Sequence, residues 1–464
     1  MIKDLLATTP IPFPGKPTEL RLQQTTTRQI SLLSGNLVGN AKSVVGGVSA
    51  RIFSKGVYGL ASAAETDLET VNKVLKAAAE NAEFLGSRAP QGGDNLPPLV
   101  PCRKEPQKVE PELTQKTLLD FCRELDAHIT ATYKNLAGRS VNASSLTTEK
   151  LLYASNGDTP VVYSHSVVPR TNISVSLTAN DPNGSPVSLG KAFGGYGFFH
   201  ELFSSPEALY QEVAILFEKV MKKREGVHPN AGRRQVVIGS EVAGILAHEA
   251  IGHTVEADLV LGGSVARNYM NQLVASELVT LVDFAHTVQG KPTPVPVIVD
   301  DEGVLAEDVV IIENGVLKRY MHNRASAHRM GYQAQGNARG NIFSDEPLIR
   351  MRNTAILPGT SRLEDIIASV DDGYYLVRSS NGQADTTSEF MFGIAEGYEI
   401  KNGVLGRAIR DTTISGVAFD MLKTVDMISQ DMTWGSGGWC GKKQTINVGM
   451  GGPALRCYVN IGGR

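Results

Sequence analysis

Residues 248–253 read His248-Glu-Ala-Ile-Gly-His253 and follow an apolar, helix-forming run from Val242 to Ala247. Neutral imidazole is a strong ligand for Zn²⁺, and a carboxylate beside a metal site, here Glu249, can accept a proton from water. The hexapeptide therefore contains the minimum set of functional groups for metal-assisted hydrolysis of an amide. The apolar run before it predicts a buried helix that carries the first histidine.

The spacing of the two histidines differs from that of the common zinc-protease helix, in which they lie four residues apart. Four residues correspond to about 40° around a regular helix, whereas the five residues from His248 to His253 correspond to about 140°. One ion cannot bind both side chains at that angle unless the backbone departs from regularity. Glycine tolerates such a departure, so we expect the helix to end or bulge near Gly252. The alternative is two ordinary histidines at a buried helix end.

A catalytic zinc ion normally has three protein ligands and one water molecule, so two histidines leave one protein position open. Glu256 and Asp258 follow the hexapeptide, and each is a candidate ligand, a carboxylate that orients a ligand, or a solvated charge. Cys440 lies in a glycine-rich segment, residues 437–442, where the backbone can approach a metal closely and nearby lysines favour a thiolate. The alternative is that Cys440, like Cys457, is a small buried hydrophobic residue.

Composition excludes several classes of protein. The length of 464 residues predicts two or three domains, and 42% hydrophobic with 20% charged residues is typical of a soluble globular protein. A net charge of −3 and the lack of a basic arm argue against a nucleic-acid partner. No apolar stretch reaches the length of a membrane span, and residues 1–14 do not resemble a secretory signal. The four scattered cysteines favour a reducing cytoplasm.

Hydrophobic spacing predicts an α+β protein with its main domain boundary at residues 226–234, giving domains 1–225 and 226–464. In the first domain, it predicts strands at 19–24, 29–34, 47–53, 57–61 and within 139–178, helices at 66–84, 113–133 and 206–223, and loops at 85–111 and 181–200. In the second, it predicts the motif helix, a helix at 362–370, and short strands at 235–238, 277–284, 297–299, 309–313 and 316–320. Asn314-Gly315 and Asn402-Gly403 predict tight hairpin turns.

The chain resembles the TldD/PmbA family, also called modulators of DNA gyrase, and specifically its TldD branch. The resemblance covers nearly all of residues 235–464 and, more loosely, the elements before them. It rests on the hexapeptide with Glu256 and Asp258 and on further blocks of sequence, namely Val274-Ala-Ser-Glu-Leu278, Asp300-Asp-Glu-Gly303, Ile312-Glu-Asn-Gly-Val-Leu317, Gly336-Asn-Ala-Arg339, Met351-Arg-Asn-Thr354 and Cys440-Gly-Lys442. The non-catalytic branch lacks the histidine pair, which this chain has.

The resemblance implies a zinc-dependent peptidase that acts on unfolded or extended peptides. It implies a two-subunit assembly, either a homodimer or a heterodimer with a paralogous non-catalytic subunit. It maps the metal ligands onto His248, His253 and Cys440 and the general base onto Glu249. It also implies an N-terminal α/β domain, with antiparallel strands and flanking helices, and a mainly antiparallel β C-terminal domain carrying the motif helix.

Two features depart from the family pattern: strand-like sequence begins by about residue 19, where the family usually begins with a helix, and Ala257 replaces a usual glycine. Further candidates are polar residues that would stabilise an oxyanion or contact substrate, namely His322, Arg324, His328, Arg339 and Asp385. An extended substrate would add as a strand to a sheet edge. The alternative function is a non-catalytic subunit that binds peptide or scaffolds a partner. Direct action on DNA or gyrase is disfavoured by the acidic charge balance.

Overall fold

The fold, given by a computed structural model, is described for residues 14–89, 95–106, 111–157, 159–435 and 437–462. Residues 1–13 lie outside this description. They include most of the segment, residues 1–14, for which the sequence analysis predicts no secretory signal. An antiparallel sheet forms the first half, with strand order β3-β2-β1-β5-β6, β7 paired to β6, and the short β4 running parallel to β6. Its strands are β1 (Thr18–Leu33), β2 (Asn36–Ser54), β3 (Val57–Ala63), β4 (Cys102–Lys104), β5 (Gly138–Ser155), β6 (Pro160–Asn180) and β7 (Pro186–Tyr196).

Helices pack their apolar faces onto this sheet. They are α1 (Leu68–Gly86), α2 (Gln115–Thr132), α3 (Phe199–Leu202) and α4 (Tyr210–Arg224), the last preceded by a 3₁₀ turn, Pro206–Leu209. Helix α1 begins where the side chain of Asp67 accepts a hydrogen bond from the Thr70 amide, which satisfies one of the free donors of a helix start. Its buried residues form one core with β1 and β2, while α2 and α4 share another with β5 and β6.

A second sheet of 12 strands organises the second half. Its strands are β8 (Gly232–Ile238), β9 (Leu281–Phe284), β12 (Val309–Glu313), β13 (Val316–Leu317), β16 (Asn353–Ile356), β17 (Asp372–Ala384), β18 (Glu389–Lys401), β19 (Val404–Ala408), β20 (Thr412–Val417), β21 (Met427–Trp434), β22 (Gly438–Lys442) and β23 (Gln444–Ile461). Two small hairpins stand apart, β10 (Thr287–Val288) with β11 (Lys291–Pro292) and β14 (Ala338–Arg339) with β15 (Leu348–Ile349). The pairings are mainly antiparallel; β16 with β23 and β8 with β17 are parallel.

Strand β8 pairs with both β17 and β23, so the path β23-β20-β18-β17-β8 closes into a ring. The helices of this half are α5 (Ser240–Ile245), α6 (Ala257–Leu261), α7 (Arg324–Met330), α8 (Leu363–Ala368) and α9 (Ala418–Leu422), with 3₁₀ turns at His253–Val255 and Val265–Asn268. Helix α5 follows β8 directly and packs in the largest apolar cluster of the chain's described part. Among the described residues, none of the helices combines the length and apolarity needed to span a bilayer.

The predicted α+β fold is confirmed, and the structure corrects several of its elements. Segments 19–24 and 29–34 belong to one strand, because polar residues between them continue the pairing with β2 and β5. The glycine-rich segment 181–200 is not a loop throughout, since it contains β7, whose Val187 and Leu189 are buried against β6. Segment 297–299 forms only an isolated bridge, between Val299 and Leu305. The domain boundary at residue 225 falls between the two sheets and stays a prediction.

Candidate metal centre

The hexapeptide lies on a π-helix, Leu246–Gly252, that continues α5. The main-chain N–H of His253 donates to the carbonyl oxygen of His248, five residues earlier, which is the π-helical pattern. The expected bulge near Gly252 is therefore present, and the two imidazole centroids lie 5.4 Å apart. Gly252 itself has ordinary helical angles, and its need for glycine is one of space, because a Cβ there would lie 1.9 Å from Met351 Sδ.

Cys440 reaches the same point from β22. Its Sγ lies 3.2 Å from His253 Nε2, and one donor atom from each of His248, His253 and Cys440 lies within 4.8 Å of the others. Cys440 and His248 are fully buried. His248 Nε2 is buried and has no hydrogen-bond partner among the described residues, while its Nδ1 lies 3.4 Å from Thr354 Oγ1. An unpartnered buried imidazole nitrogen facing a thiol and a second imidazole fits a metal-binding set.

The electrostatic environment also favours a cation between these groups. Burial lowers the pKa of His248 well below its usual value, with nearby His253 acting in the same direction, so its imidazole is neutral and free to donate a lone pair. Burial alone would lower the pKa of His253, but hydrogen bonds with Cys440 and Glu256 raise it to about 10. The surroundings that favour a proton on His253 equally favour a metal ion at that place.

Glu249 lies beside the cluster, with its Oε2 3.8 Å from His253 Nε2 and its side chain partly exposed. Burial raises its pKa, while nearby His253 opposes that shift. A carboxylate in this position is within reach of a water molecule that also approaches the donor atoms of the cluster. This position makes Glu249 a candidate proton acceptor next to the candidate metal site.

Glu256 and Asp258 serve the cluster indirectly. Glu256 is fully buried, and its Oε2 accepts a hydrogen bond from His253 Nδ1 at 2.9 Å, which directs His253 Nε2 toward Cys440. Lys442 Nζ lies 3.2 Å from the same carboxylate oxygen and 2.7 Å from Asp258 Oδ2. Glu256 thus orients a candidate ligand, and Lys442 neutralises the acidic pair and fixes the strand that bears Cys440.

Two fully buried arginines near the centre were missed by the sequence analysis. Arg350 donates to the carbonyl oxygens of Cys440 at 2.8 Å and Gln444 at 2.9 Å, so it holds both strands of the β22–β23 hairpin. Arg352 instead forms an ion pair with Asp283 Oδ2 at 2.8 Å. The sequence signal for Arg350 is an arginine within the apolar run 348–356, whereas Arg352 also lies in the block Met351-Arg-Asn-Thr354 that carries the family resemblance.

The five further candidate residues are scattered. His322 is buried beside Ser326, and Arg324 joins a buried ionic cluster with Glu19 and Glu302 rather than the metal cluster. His328 is exposed on α7, and the carboxylate of exposed Asp385 accepts hydrogen bonds from the amides of its own turn. Arg339 alone lies near the centre, since it donates to the carbonyl oxygens of Met351 at 2.6 Å and Asn447 at 2.8 Å.

The fold and the cluster together define a metallopeptidase-type architecture, and sequence comparison identifies the family. Residues 231–463 match the PmbA/TldA metallopeptidase C-terminal domain, and residues 18–82 match PmbA/TldA metallopeptidase domain 1. The chain belongs to the TldD/PmbA metallopeptidase family.

Curated relatives and solved structures agree with this assignment. A metalloprotease of Methanocaldococcus jannaschii is 30% identical, with 96% of this chain and 97% of that protein covered. A zinc metalloprotease TldD homologue of Saccharolobus solfataricus is 35% identical, but the match spans only 58% of this chain and 59% of that protein. TldE of Thermococcus kodakarensis has the same fold, with a TM-score of 0.72 at 18% identity and coverage of 96% and 97%. A candidate modulator of DNA gyrase from Thermotoga maritima superposes with a TM-score of 0.74 at 18% identity, with 96% of each chain covered.

Proposed function

We propose that this chain is a zinc-dependent peptidase of the His-Glu-x-x-x-His type that hydrolyses unfolded or extended peptides. The observation that carries the proposal is the convergence of His248, His253 and Cys440, whose donor atoms lie within 4.8 Å of one another although nearly two hundred residues separate the first from the last. Glu249 stands next to them. The family is a metallopeptidase family, and one curated relative is named a zinc metalloprotease.

The donor set fits zinc. Two imidazole nitrogens and one thiolate sulfur are ligands that zinc prefers, and three protein ligands leave one position for water or substrate. When bound, the metal would act as a Lewis acid that polarises the scissile carbonyl and acidifies a water molecule. Because the thiol must be reduced to act as a ligand, we place the protein in the cytoplasm.

Glu249 moves the proton in the proposed reaction. Its carboxylate accepts a proton from the attacking water as the oxygen of that water bonds to the carbonyl carbon. It then delivers the proton to the leaving amide nitrogen as the carbon–nitrogen bond breaks, so the carboxylate is regenerated. Glu256 keeps His253 in one orientation during this exchange, and Arg350 keeps the backbone of Cys440 in place.

The sheet edge near the centre supports the proposed substrate class. Strand β22, which carries Cys440, pairs with β23 and with none of the other described strands. An extended peptide that adds as a strand there is recognised mainly through its backbone, which suits unfolded clients of varied sequence. Most strands of a folded protein are already paired with their neighbours, so the proposed substrates are unfolded or extended chains.

We also propose that the chain works in a two-subunit assembly with a second copy or a paralogue of the same fold. The hairpin of β1 and β2 exposes large apolar side chains, namely Leu33, Leu37, Val38, Val44 and Val45. A cluster of this kind on an exposed hairpin is typical of a protein–protein contact. The structural likeness to TldE agrees with a partner of related fold.

Metal analysis combined with substitution tests the proposal. The purified protein, alone and co-expressed with any paralogous chain, should contain one zinc ion per active subunit by mass spectrometry of metals. It should cleave an unfolded casein-derived peptide, and Glu249→Ala should lower kcat by at least about a hundredfold, since general-base catalysis contributes that much or more. Glu313→Ala, an exposed glutamate on a distant hairpin, is the control.

Absence of stoichiometric metal, together with equal cleavage by Glu249→Ala and wild type, would overturn the peptidase proposal. If the chain binds peptide, both alone and with each co-expressed paralogue, but never cleaves it, the chain would instead be a non-catalytic subunit. Sedimentation of the double variant, Val38→Asp combined with Val44→Asp, tests the assembly separately. Charged side chains in an apolar contact weaken it, so the double variant should sediment as a monomer.

A further inference from the structure

A cavity of about 470 Å³ lies beside the candidate metal centre, between the first sheet and the second half of the chain. Strands β5 and β6 form one wall, and a proline-rich segment, residues 292–299, forms another. Ile446 and Asn447 line one side, and Ile446 is the direct cross-strand partner of Cys440. Neighbouring strands lie about 4.8 Å apart, so this wall is one strand away from the proposed cysteine ligand.

Positive charge predominates in this cavity. Its lining includes four cationic side chains, Lys104, Lys150, Arg170 and Arg339, against three carboxyl groups. One of the three, Asp301, is already shared between Lys150 at 2.6 Å and Arg21 at 2.9 Å. A single carboxylate between two cations leaves a local positive excess, which adds to the charge of the remaining lining.

Arg339 is the most unusual of these cations. Its guanidinium is only 8% exposed and donates to two neutral acceptors, the carbonyl oxygens of Met351 and Asn447. Within the described part of the chain, no carboxylate lies within ion-pair distance of it. A buried charge without a counter-ion is costly unless a ligand supplies the opposite charge.

Arg170 and His165 add to the same wall. Arg170 is equally buried, and its Nη1 donates to the side-chain oxygen of Asn447 at 3.1 Å, so two guanidiniums converge on one residue. His165 is 6% exposed and lies between two carboxylates, since its Nε2 is 2.9 Å from Glu149 Oε1 and its Nδ1 is 3.8 Å from Glu105 Oε2. The two buried guanidiniums, of Arg170 and Arg339, are groups of a kind that bind an anion.

We propose that this cavity is a substrate subsite that binds a carboxylate of the peptide, one or two residues from the bond that is cleaved. The inference rests on the proposed peptidase function and names a preference within it. A carboxylate is planar and anionic, which matches the paired N–H groups of a guanidinium. An extended peptide advances about 3.3 Å per residue, so a group in the cavity lies close to the metal cluster along the chain. The carboxylate comes either from the C-terminus or from an Asp or Glu side chain.

Binding of matched peptides to the full-length protein tests this subsite. The zinc-loaded Glu249→Gln variant prevents turnover, and fluorescence anisotropy then reports affinity for labelled Ser/Ala/Leu peptides that differ in one group. The three probes have a free C-terminal carboxylate, a C-terminal amide, or a C-terminal amide with Glu as the penultimate residue. We expect at least one carboxylate peptide to bind about tenfold more tightly than the plain amide, as charge-assisted hydrogen bonds allow. The peptide that gains affinity shows whether the bound carboxylate is the C-terminus or a side chain. Equal affinities of all three peptides would overturn the proposal.

Substitution of a residue in the cavity tests whether the preference for a carboxylate peptide arises there. Arg170→Gln should reduce the discrimination between carboxylate and amide to about twofold or less, whereas Arg170→Lys should retain part of it. Arg319→Gln, an exposed arginine that does not line the cavity, should leave the discrimination unchanged. Circular dichroism establishes that each variant is folded. If folded Arg170→Gln discriminates as wild type does, the carboxylate binds elsewhere and the proposal is wrong.

The subsite and the peptidase proposal can fail separately. Carboxylate-dependent binding without cleavage by the unsubstituted protein would support the subsite and reject the catalytic role. Cleavage of all three peptides with equal affinity would support the peptidase and reject the subsite.

Discussion

The main-chain N–H of His253 donates to the carbonyl oxygen of His248, and this single i→i+5 hydrogen bond brings the two imidazoles to one side of the helix. A regular helix would separate side chains five residues apart by about 140°. The π-helical turn removes that separation, so an unusual spacing in the sequence becomes a workable ligand pair. Such turns are frequent at functional sites.

Gly252→Ala should distort this turn. A Cβ at Gly252 would lie 1.9 Å from the sulfur of Met351, which is itself fully buried and has little room to move. Overpacking of this kind costs about 1–3 kcal/mol of unfolding free energy, and the shifted turn should also weaken cobalt binding. Urea unfolding and cobalt titration measure the two effects. Gly138→Ala, where the nearest atom would be at an ordinary 3.7 Å, is the control; equal behaviour of both variants would contradict the prediction.

Cys440→Ser should remove a ligand while preserving the fold. We expect metal affinity to fall by more than the roughly 10–100-fold typical of losing a group that only supports a ligand. The absorption band of a cobalt–thiolate bond should disappear from the cobalt-substituted protein. Cys457→Ser changes another buried cysteine, which lies on β23 at a position facing β8. A cobalt–thiolate band that survives in Cys440→Ser, or vanishes in Cys457→Ser, would argue against the assigned ligand.

Glu256→Gln should weaken metal binding about 10–100-fold, because the carboxylate that fixes His253 loses its charge. The side chain keeps an oxygen that can accept the same hydrogen bond, so the fold should be retained. Asp258→Asn is the matched control, since Asp258 contacts Lys442 but neither histidine. Competition with a chromogenic chelator gives both affinities. The orienting role would be rejected if the two variants lost affinity equally.

Arg352→Met should destabilise the protein by about 3–5 kcal/mol, because it leaves the fully buried carboxylate of Asp283 without its partner. Arg350→Met should act differently, since this arginine donates to backbone carbonyls of the hairpin that carries Cys440. We expect Arg350→Met to lower metal affinity more than Arg352→Met does, when each variant is measured in the fraction that remains folded. Chemical unfolding and cobalt titration of the two variants separate these roles; the reverse ranking of the metal affinities would contradict them.

The contribution of Asp300 to the free energy of unfolding should decrease as pH rises from about 4 to 8. Burial, aided by the nearby Glu302 carboxylate, raises the pKa of Asp300 to about 8, from a model-compound value of 3.8. The folded state therefore holds a proton that the unfolded chain releases, so stability is fully present below pH 4 and is lost through this window. Burial also raises the pKa of Glu19 to about 7, with the same sign. Asp300→Asn should reduce the slope in urea unfolding at several pH values, and an unchanged slope would reject this assignment.

Much of the fold was predictable because its periodicities are local. The helix predicted at 66–84 is found at Leu68–Gly86, and that at 113–133 is found at Gln115–Thr132. The predicted Asn-Gly turns are confirmed by positive φ at Asn314 and Asn402. Strand β7 was missed because its glycines suggest a loop, while its pairing with β6 is a tertiary effect.

The candidate metal ligands could be predicted from the sequence, but the residues that hold them in position could not. The motif and the family resemblance placed His248, His253 and Cys440 together, whereas spacing alone left the cysteine uncertain. Arg350 could not be found, because its role depends on a hairpin that is remote in sequence. Arg324 was assigned to substrate because its residue type suits an anion, but only the fold reveals its buried carboxylate neighbours.

Strand β23 pairs with five others, β8, β16, β20, β21 and β22, and all of them precede it in sequence. During synthesis, Cys440 therefore has no hairpin partner until residues 444–448 have left the ribosome, and the ring of strands stays open until residues 455–461 have followed. The emerging polypeptide is itself an extended chain of the kind proposed as substrate. Late assembly of the centre would keep a nascent molecule from cutting itself or its neighbours before it has folded.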